Sequence, residues 1–230
     1  ALSIMDSLGA PQKDIGLVQL RMGASLFGLS RFDDALVYYK AALENAESRL
    51  DLHNTSAVMG DMAIVYAMKG DYQKALDNLR RSLAIKEKTG DIRSAGITCN
   101  NIGVIYSDLG DNAEAKRWYG RYLEICRKLG DKWDEATAQT NIATLLLKEG
   151  RLEEATAMQE ECLGIFERVG DGQSLAYTHL ELSECKLLRG DMAGAEDHAS
   201  KGLGIGKSLG SKELEGVCMR MLGRAAAAKR

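Results

Sequence analysis

Glycine followed by aspartate recurs at a fixed interval of 20 residues, and this interval restricts the possible folds more than any other feature of the chain. The pair stands at residues 70–71, 90–91, 110–111, 130–131, 170–171 and 190–191, and Gly150 and Gly210 continue the interval without aspartate. Glycine readily ends a helix in the left-handed conformation, and aspartate caps the N-terminus of the next helix. Each interval therefore predicts one helix with its turn, and two intervals predict an antiparallel helix pair.

The apolar and small residues repeat with a period of 40 residues. In blocks that begin at residues 11, 51, 91, 131 and 171, position 25 is always alanine and position 33 is always leucine. Position 13 is always small, as at Gly23 and Ala63, which allows a neighbouring helix to approach closely. Helix pairs whose apolar faces are covered only by the adjacent pairs form an α-solenoid. We therefore predict an all-α fold of this class.

The third block resembles the tetratricopeptide repeat (TPR) family. It contains Ile102-Gly103, then Tyr106, and then Ala115 and Tyr119, at the spacing which that family uses. The resemblance extends over essentially the whole chain. It implies a right-handed superhelix of antiparallel helix pairs, in which the first helix of each pair lines a concave surface.

Two departures distinguish the chain from the usual TPR pattern. Smaller or polar residues such as Cys99 stand in place of the family's early tryptophan. The family's late proline is replaced in every block, by Glu47, Glu87, Arg127, Glu167 and Lys207. Without proline the second helix can continue to the next glycine, which accounts for repeats longer than the family's usual length. This longer variant is similar to the repeats of kinesin light chains, of Leu-Gly-Asn-repeat G-protein signalling modulators and of bacterial maltose-activator-type regulators, without selecting among them.

The period also defines the domain organisation. Residues 1–10 align with the end of a second helix, with Leu2 and Ile4 at core positions, and predict the tail of a truncated repeat. Five repeats are predicted at residues 11–50, 51–90, 91–130, 131–170 and 171–210, followed by a single capping helix at 211–230. Because the first helix pair is incomplete, we expect the chain to be a fragment of a longer protein.

Charge and composition argue against several classes of partner. The chain carries 30 basic and 33 acidic residues in a mixed order, for a net charge of -3, which disfavours nucleic acid and anionic membrane as partners. The sequence contains neither a run of about 18 apolar residues nor a signal-peptide pattern, so we expect no membrane insertion. Five widely spaced cysteines form no Cys-x-x-Cys pair and predict buried thiols in a cytoplasmic protein.

The sequence offers no constellation for catalysis, a cofactor or a metal. Residues 202–208 superficially match a phosphate-binding loop, but Lys201 stands where that loop requires glycine. His53, His179 and His198 fall at block positions 3, 9 and 28, so no two share a helix at ligand spacing. We therefore predict no catalytic, cofactor-binding or metal-binding residues, and a protein that is not an enzyme.

The outward face of the first helices is the candidate interaction surface. In the first three blocks this face keeps apolar residues, namely Leu17, Leu20, Phe27, Ile64, Ile97 and Val104. In the last two blocks it is polar, with Thr137, Thr140, Asn141, Thr144, Glu181 and Glu184. Two interpretations remain open: the apolar residues fill gaps between adjacent first helices, or they form the apolar half of a groove whose other half is polar.

Asparagines support the second interpretation, because an amide side chain both donates to and accepts from a peptide backbone. In the TPR family, asparagines at the position of Asn101 and Asn141 often hold the ligand chain. The equivalent residues elsewhere are Arg21, Asp61 and Glu181, so this ladder has two members, and the basic clamp of chaperone-binding members is not visible. The candidate groove residues are Arg21, Arg93, Ile97, Asn100, Asn101, Val104, Trp133, Thr137, Asn141, Thr144, Tyr177 and Glu181.

Within this set, the residue types suggest different contacts. Arg21 and Arg93 suit acidic ligand side chains or a terminal carboxylate. Trp133 and Tyr177 are candidate aromatic anchors, although ordinary helix packing explains them equally well.

The sequence thus predicts a non-catalytic protein-interaction scaffold that holds a peptide segment of a partner protein in its concave groove. One alternative is a regulatory sensor domain of a larger signalling ATPase, transcription regulator or protease with an attached output domain. The other is a self-assembling structural array, for which the exposed Leu2 and Ile4 would provide the contact.

Overall fold

A computed structural model describes residues 11–228, which form eleven α-helices without any strand. The chain divides into two compact units after Asp111, and each unit is described by itself. The predicted truncated helix at residues 1–10, with Leu2 and Ile4, lies outside the described residues. The prediction of an all-α fold is confirmed.

The first unit contains five helices of 17 or 18 residues each. They are α1 (Gln12–Gly28), α2 (Phe32–Ser48), α3 (Leu52–Met68), α4 (Tyr72–Thr89) and α5 (Ile92–Asp108). Within this unit, consecutive helices pack together, and α1 also touches α3. The odd-numbered helices here are the predicted first helices of their repeats.

The second unit contains six helices of the same two lengths. They are α6 (Asn112–Leu129), α7 (Lys132–Lys148), α8 (Leu152–Val169), α9 (Gly172–Leu188), α10 (Met192–Ser208) and α11 (Lys212–Ala228). Consecutive helices pack together, and α9 also contacts both α7 and α11. In this unit, α7 and α9 are first helices of predicted repeats, and α11 is the predicted capping helix.

The turns follow the predicted chemistry. Every glycine of the 20-residue interval from Gly70 to Gly210 has a positive φ, between 66° and 80°. Aspartates at positions 51, 71, 91, 131, 171 and 191 begin the next helices and accept a hydrogen bond from the backbone N–H three residues later. Ser30 and Leu50 adopt the same left-handed conformation, with φ of 58° and 54°, where the interval lacks glycine. The turn at Leu50 thus keeps the geometry of the others.

Small residues set the distance between the two helices of a pair. The alanines at block position 25 are fully buried in all five blocks: Ala35, Ala75, Ala115, Ala155 and Ala195. At Gly23 an added Cβ would lie 2.7 Å from the Tyr39 ring, so only glycine fits there. In the last block the Ser183 hydroxyl donates a 2.7 Å hydrogen bond to the Ala195 carbonyl, which joins positions 13 and 25 directly.

Among the described helices, none combines the length and the apolar character that crossing a membrane requires.

Candidate functional site

The candidate groove residues are divided between the two units. Arg21, Arg93, Ile97, Asn100, Asn101 and Val104 belong to the first unit. Trp133, Thr137, Asn141, Thr144, Tyr177 and Glu181 belong to the second. All of them lie on first helices, namely α1 and α5 in the first unit and α7 and α9 in the second.

In the first unit, an apolar cavity of about 350 Å³ opens between α3 and α5. The predicted residues Asn101 and Val104 line it together with Ile64 and Asp108. The lining is completed by Ala63, Ala67, Met68, Leu79 and Ile105. The cavity therefore combines aliphatic walls with an amide group that can donate and accept hydrogen bonds.

The apolar residues predicted on this face divide into two classes. Leu20 and Phe27 pack against the hydrophobic core of the first unit, as the gap-filling interpretation requires. Ile64, Ile97 and Val104 are exposed over 42%, 45% and 39% of their surfaces. The gap-filling interpretation thus explains α1 in part, whereas α3 and α5 present aliphatic surface that the described residues leave uncovered.

The other candidates of the first unit lie apart from this cavity. Arg21 is exposed and lines a separate cavity between α1 and α2, near Arg31 and Asp34. Arg93 is exposed at the start of α5, and Asn100 is half-buried on the same helix. The first unit therefore brings Asn101 and Val104 together and does not place the two arginines beside them.

In the second unit, a pocket of about 270 Å³ lies between α7 and α9, and we call it the polar pocket. Its lining contains four of the predicted residues, Thr137, Asn141, Tyr177 and Glu181. Thr140, Phe166 and Ser174 complete the lining. Side chains that carry a polar group thus dominate the lining of the polar pocket, whereas aliphatic side chains dominate the lining of the cavity between α3 and α5.

Aromatic side chains stand at the N-terminal ends of both helices that form the polar pocket. The indole N–H of Trp133 donates a 2.7 Å hydrogen bond to the Asp171 carboxylate, which ties the start of α7 to the cap of α9. Trp133 nevertheless keeps 40% of its surface exposed, and Tyr177 keeps 37%. Burial raises the pKa of the Tyr177 hydroxyl, and the neighbouring Glu213 carboxylate adds to this effect.

Glu181 is the charged residue in the lining of the polar pocket. Its carboxyl group accepts a 2.7 Å hydrogen bond from the Thr144 hydroxyl and another from the Gln159 amide of α8. Burial raises the pKa of Glu181 to about 7, against the lowering effects of the Thr144 hydrogen bond and of the Lys148 charge. Desolvation therefore outweighs both stabilising contacts, and the carboxyl group titrates near neutral pH.

Gln159 is a site residue that the sequence reasoning missed. It lies on a second helix, is only 1% exposed and reaches Glu181 from α8. Its block position is not part of the first-helix face, so the periodic pattern gives no indication of this contact.

Two histidines on different helices form a pair that the sequence pattern does not reveal, since that pattern relates residues on one helix. Nδ1 of His179 on α9 and Nδ1 of His198 on α10 are 3.0 Å apart, so one nitrogen donates and the other accepts. Burial and the neighbouring ring lower the pKa of His179 to about 4, and burial also lowers the pKa of His198. Within residues 11–228, no group of three or more His, Cys, Asp or Glu side chains is arranged to hold a metal ion.

The glycine-rich stretch at residues 202–208 lies within α10 and serves packing. A Cβ added at Gly202 would lie 3.2 Å from the Cys218 sulfur, and one at Gly206 would lie 3.1 Å from the Leu214 Cβ. These glycines let α11 pack closely on α10, so the stretch is a helix-packing surface and not a phosphate-binding loop.

The repeated helix pairs, the small residues between them and the packing of neighbours in sequence place the protein in the class of helical-repeat solenoids. Within this class, the chain belongs to the tetratricopeptide repeat family, whose model matches residues 14–88, 94–168 and 134–208. The predicted resemblance is confirmed. Repeats of this family generally act as non-catalytic scaffolds in protein–protein interaction.

Solved structures share this fold at low sequence identity. Aspartyl phosphate phosphatase F from Bacillus subtilis aligns with a TM-score of 0.80 and 15% identity, over 99% of this chain and 61% of its own. A signal transduction ATPase with numerous domains and a tetratricopeptide repeat sensor, from Pyrococcus horikoshii, gives 0.77 and 18%, over 96% and 36%. A kinesin light chain with nearly identical TPR-like repeats from Podosopora anserina gives 0.66 and 18%, over 83% and 95%. Comparison with curated protein sequences finds no match.

Proposed function

We propose that the protein is a non-catalytic scaffold whose first helices bind a peptide segment of a partner protein. The observation that carries this proposal is the uncovered aliphatic surface of α3 and α5 around the apolar cavity. Large aliphatic side chains that are exposed side by side next to a cavity are typical of a protein-binding surface. All five cysteines are buried, which fits the cytoplasmic location that we also propose.

The mechanism is preorganisation. The cavity and its lining exist before the partner arrives, because the helices that carry them are fixed by their neighbours. A preformed surface loses little conformational entropy on binding, whereas the partner segment must become ordered, so an affinity of roughly micromolar order is expected. Apolar side chains of the segment would enter the cavity, and Asn101 would hydrogen-bond to its backbone.

Selection from a random peptide library, followed by fluorescence anisotropy with the selected peptides, tests this proposal. Val104→Glu places a charge in the apolar cavity and should weaken binding at least about tenfold, and Asn101→Ala should weaken it by several-fold. Val37→Glu is the matched control, because Val37 is 65% exposed on the second helix α2 and lies away from the cavity. The proposal fails if no peptide is selected, or if Val104→Glu and Val37→Glu bind the selected peptides equally well.

One specific observation supports the alternative function, a sensor domain of a larger protein. The similar ATPase from Pyrococcus horikoshii carries a tetratricopeptide repeat sensor, and this chain spans 36% of that protein. In that case the same surface would bind the effector, and an attached output domain would respond. The test is the output activity of the full-length gene product, which should change when the selected peptides bind. An unchanged output activity would contradict this alternative.

A further inference from the structure

The polar pocket holds more hydrogen-bond acceptors than its own donors satisfy. The two Glu181 oxygens receive one hydrogen bond each, from Thr144 and Gln159. An ionised carboxylate offers about four acceptor sites, so half of its capacity remains open.

Two further oxygens in the same cluster are buried and accept no hydrogen bond. They are the Thr140 hydroxyl, whose residue lines the pocket, and the Gln159 amide oxygen, whose amide nitrogen contacts Glu181. Buried polar atoms are rarely left unsatisfied in folded proteins, and such atoms often mark the place of a bound group. Of these two oxygens, that of Thr140 belongs to a lining residue, so the open acceptors of the pocket are those of Thr140 and Glu181.

The charges around the pocket favour a cation. Glu181 is the charged member of the lining, and the Glu213 carboxylate stands beside Tyr177. Lys148 is the cation that acts on Glu181 from the described residues, and its effect is smaller than that of burial. The rings of Phe166 and Tyr177 add aromatic surface, which attracts cations by the ring quadrupole.

We propose that the polar pocket is a specificity site for a cationic side chain, with the Glu181 carboxylate as its counter-ion and Thr140 as a second acceptor. An ammonium or a guanidinium group is a donor without acceptor capacity, which is the complement of this lining. This inference rests on the proposed function, because the cation would be a side chain of the bound peptide segment. It adds that a segment bound to the second unit presents a lysine or arginine to α7 and α9.

The first experiment uses small organic cations as ligands in place of the peptide. Titration of the ¹⁵N-labelled chain with n-butylammonium, with n-butylguanidinium and with uncharged n-butanol is followed by backbone amide shifts. Saturable shifts centred on Thr140 and Glu181 are expected from the two cations and not from butanol. Equal shifts from butanol, or the absence of localised shifts, would overturn the proposal.

A second experiment uses the selected peptides. Each lysine or arginine is replaced in turn by norleucine, which keeps the length of the side chain and removes its charge, and a parallel set has an acetylated N-terminus. One replacement should weaken binding to the wild-type chain about ten- to hundredfold, as expected for a hydrogen-bonded charge. An effect of acetylation alone would identify the terminal amine as the source of the cation.

Variants connect that cation to the pocket. Glu181→Gln keeps the shape of the side chain and should abolish the preference for lysine or arginine over norleucine. Glu167→Gln, which removes one exposed negative charge from α8 and lies outside both cavities, should leave the preference unchanged. If peptides bind but no replacement matters, the cation site is wrong while the scaffold function stands. If no peptide binds, the scaffold function is wrong, and the n-butylammonium titration decides the cation site.

Discussion

The buried carboxyl group of Glu181 should make the stability of the second unit dependent on pH near neutrality. The pKa of this group is raised by burial from its ordinary value of 4.5 to about 7. The folded chain therefore keeps the proton over a range in which the unfolded chain has released it. Below the unfolded value both states are protonated, so the carboxyl group has no effect on stability there. Stability falls as the pH rises from the pKa of the unfolded state to that of the folded state, and above the folded-state pKa the loss is constant.

The size of the loss follows from the pKa difference. Each unit of pKa corresponds to about 1.4 kcal/mol, so a shift of about 2.5 units lowers the free energy of unfolding by roughly 3 kcal/mol above neutral pH. Glu181→Gln removes the ionisation and retains a side chain that can bond to Thr144 and Gln159. The variant should thus be close to the wild type near pH 4 and about 3 kcal/mol more stable near pH 8.

Urea unfolding at a series of pH values, followed by tryptophan fluorescence, measures this difference. Both tryptophans of the chain, Trp118 and Trp133, lie in the second unit, so the signal reports the unit that contains Glu181. Taking the difference between variant and wild type cancels the titration of the histidines. Glu167→Gln is the control, because it removes an exposed carboxylate from α8. Parallel stability curves for Glu181→Gln and the wild type would refute the reasoning.

Two further predictions concern features that vary between the repeats. Leu50 is left-handed and 85% exposed, so Leu50→Gly should relieve strain and stabilise the chain by about 1 kcal/mol in scanning calorimetry, whereas Gly70→Leu at a similar turn should destabilise it by about as much. Because burial lowers the pKa of both His179 and His198, the folded state resists protonation, and stability should fall as the pH drops below the unfolded value of 6.5. His179→Gln should reduce this acid sensitivity in urea unfolding, and an unchanged slope would contradict the buried pair.

The helices and turns could be predicted from sequence because each rests on local chemistry that recurs. A glycine with positive φ followed by a capping aspartate specifies a helix boundary without knowledge of the rest of the chain. The fully buried alanines of block position 25 could be found because the same requirement occurs five times. Repetition makes such a requirement visible in a single sequence.

Contacts that occur once could not be found in this way. The bond between Gln159 and Glu181 joins two helices, and no other block has this pair of residue types at those positions. The pairing of His179 with His198 likewise depends on how α9 packs against α10. Leu50 adopts the left-handed conformation although its residue type disfavours it, because the packing of the flanking helices fixes the turn.

Block position 11 shows how the invariant and variable positions are related. The five residues there are Arg21, Asp61, Asn101, Asn141 and Glu181, so the position has no common chemistry, whereas position 25 never changes. Burial raises the pKa of the carboxyl group at Asp61 as well as at Glu181, so a charge at this position is destabilising in two repeats. An apolar or amide side chain would fit at this position. Packing therefore does not explain a carboxyl group that destabilises the fold there. The constant alanines hold the helices at one spacing, and this leaves position 11 free to vary, as the proposed peptide-binding face would require.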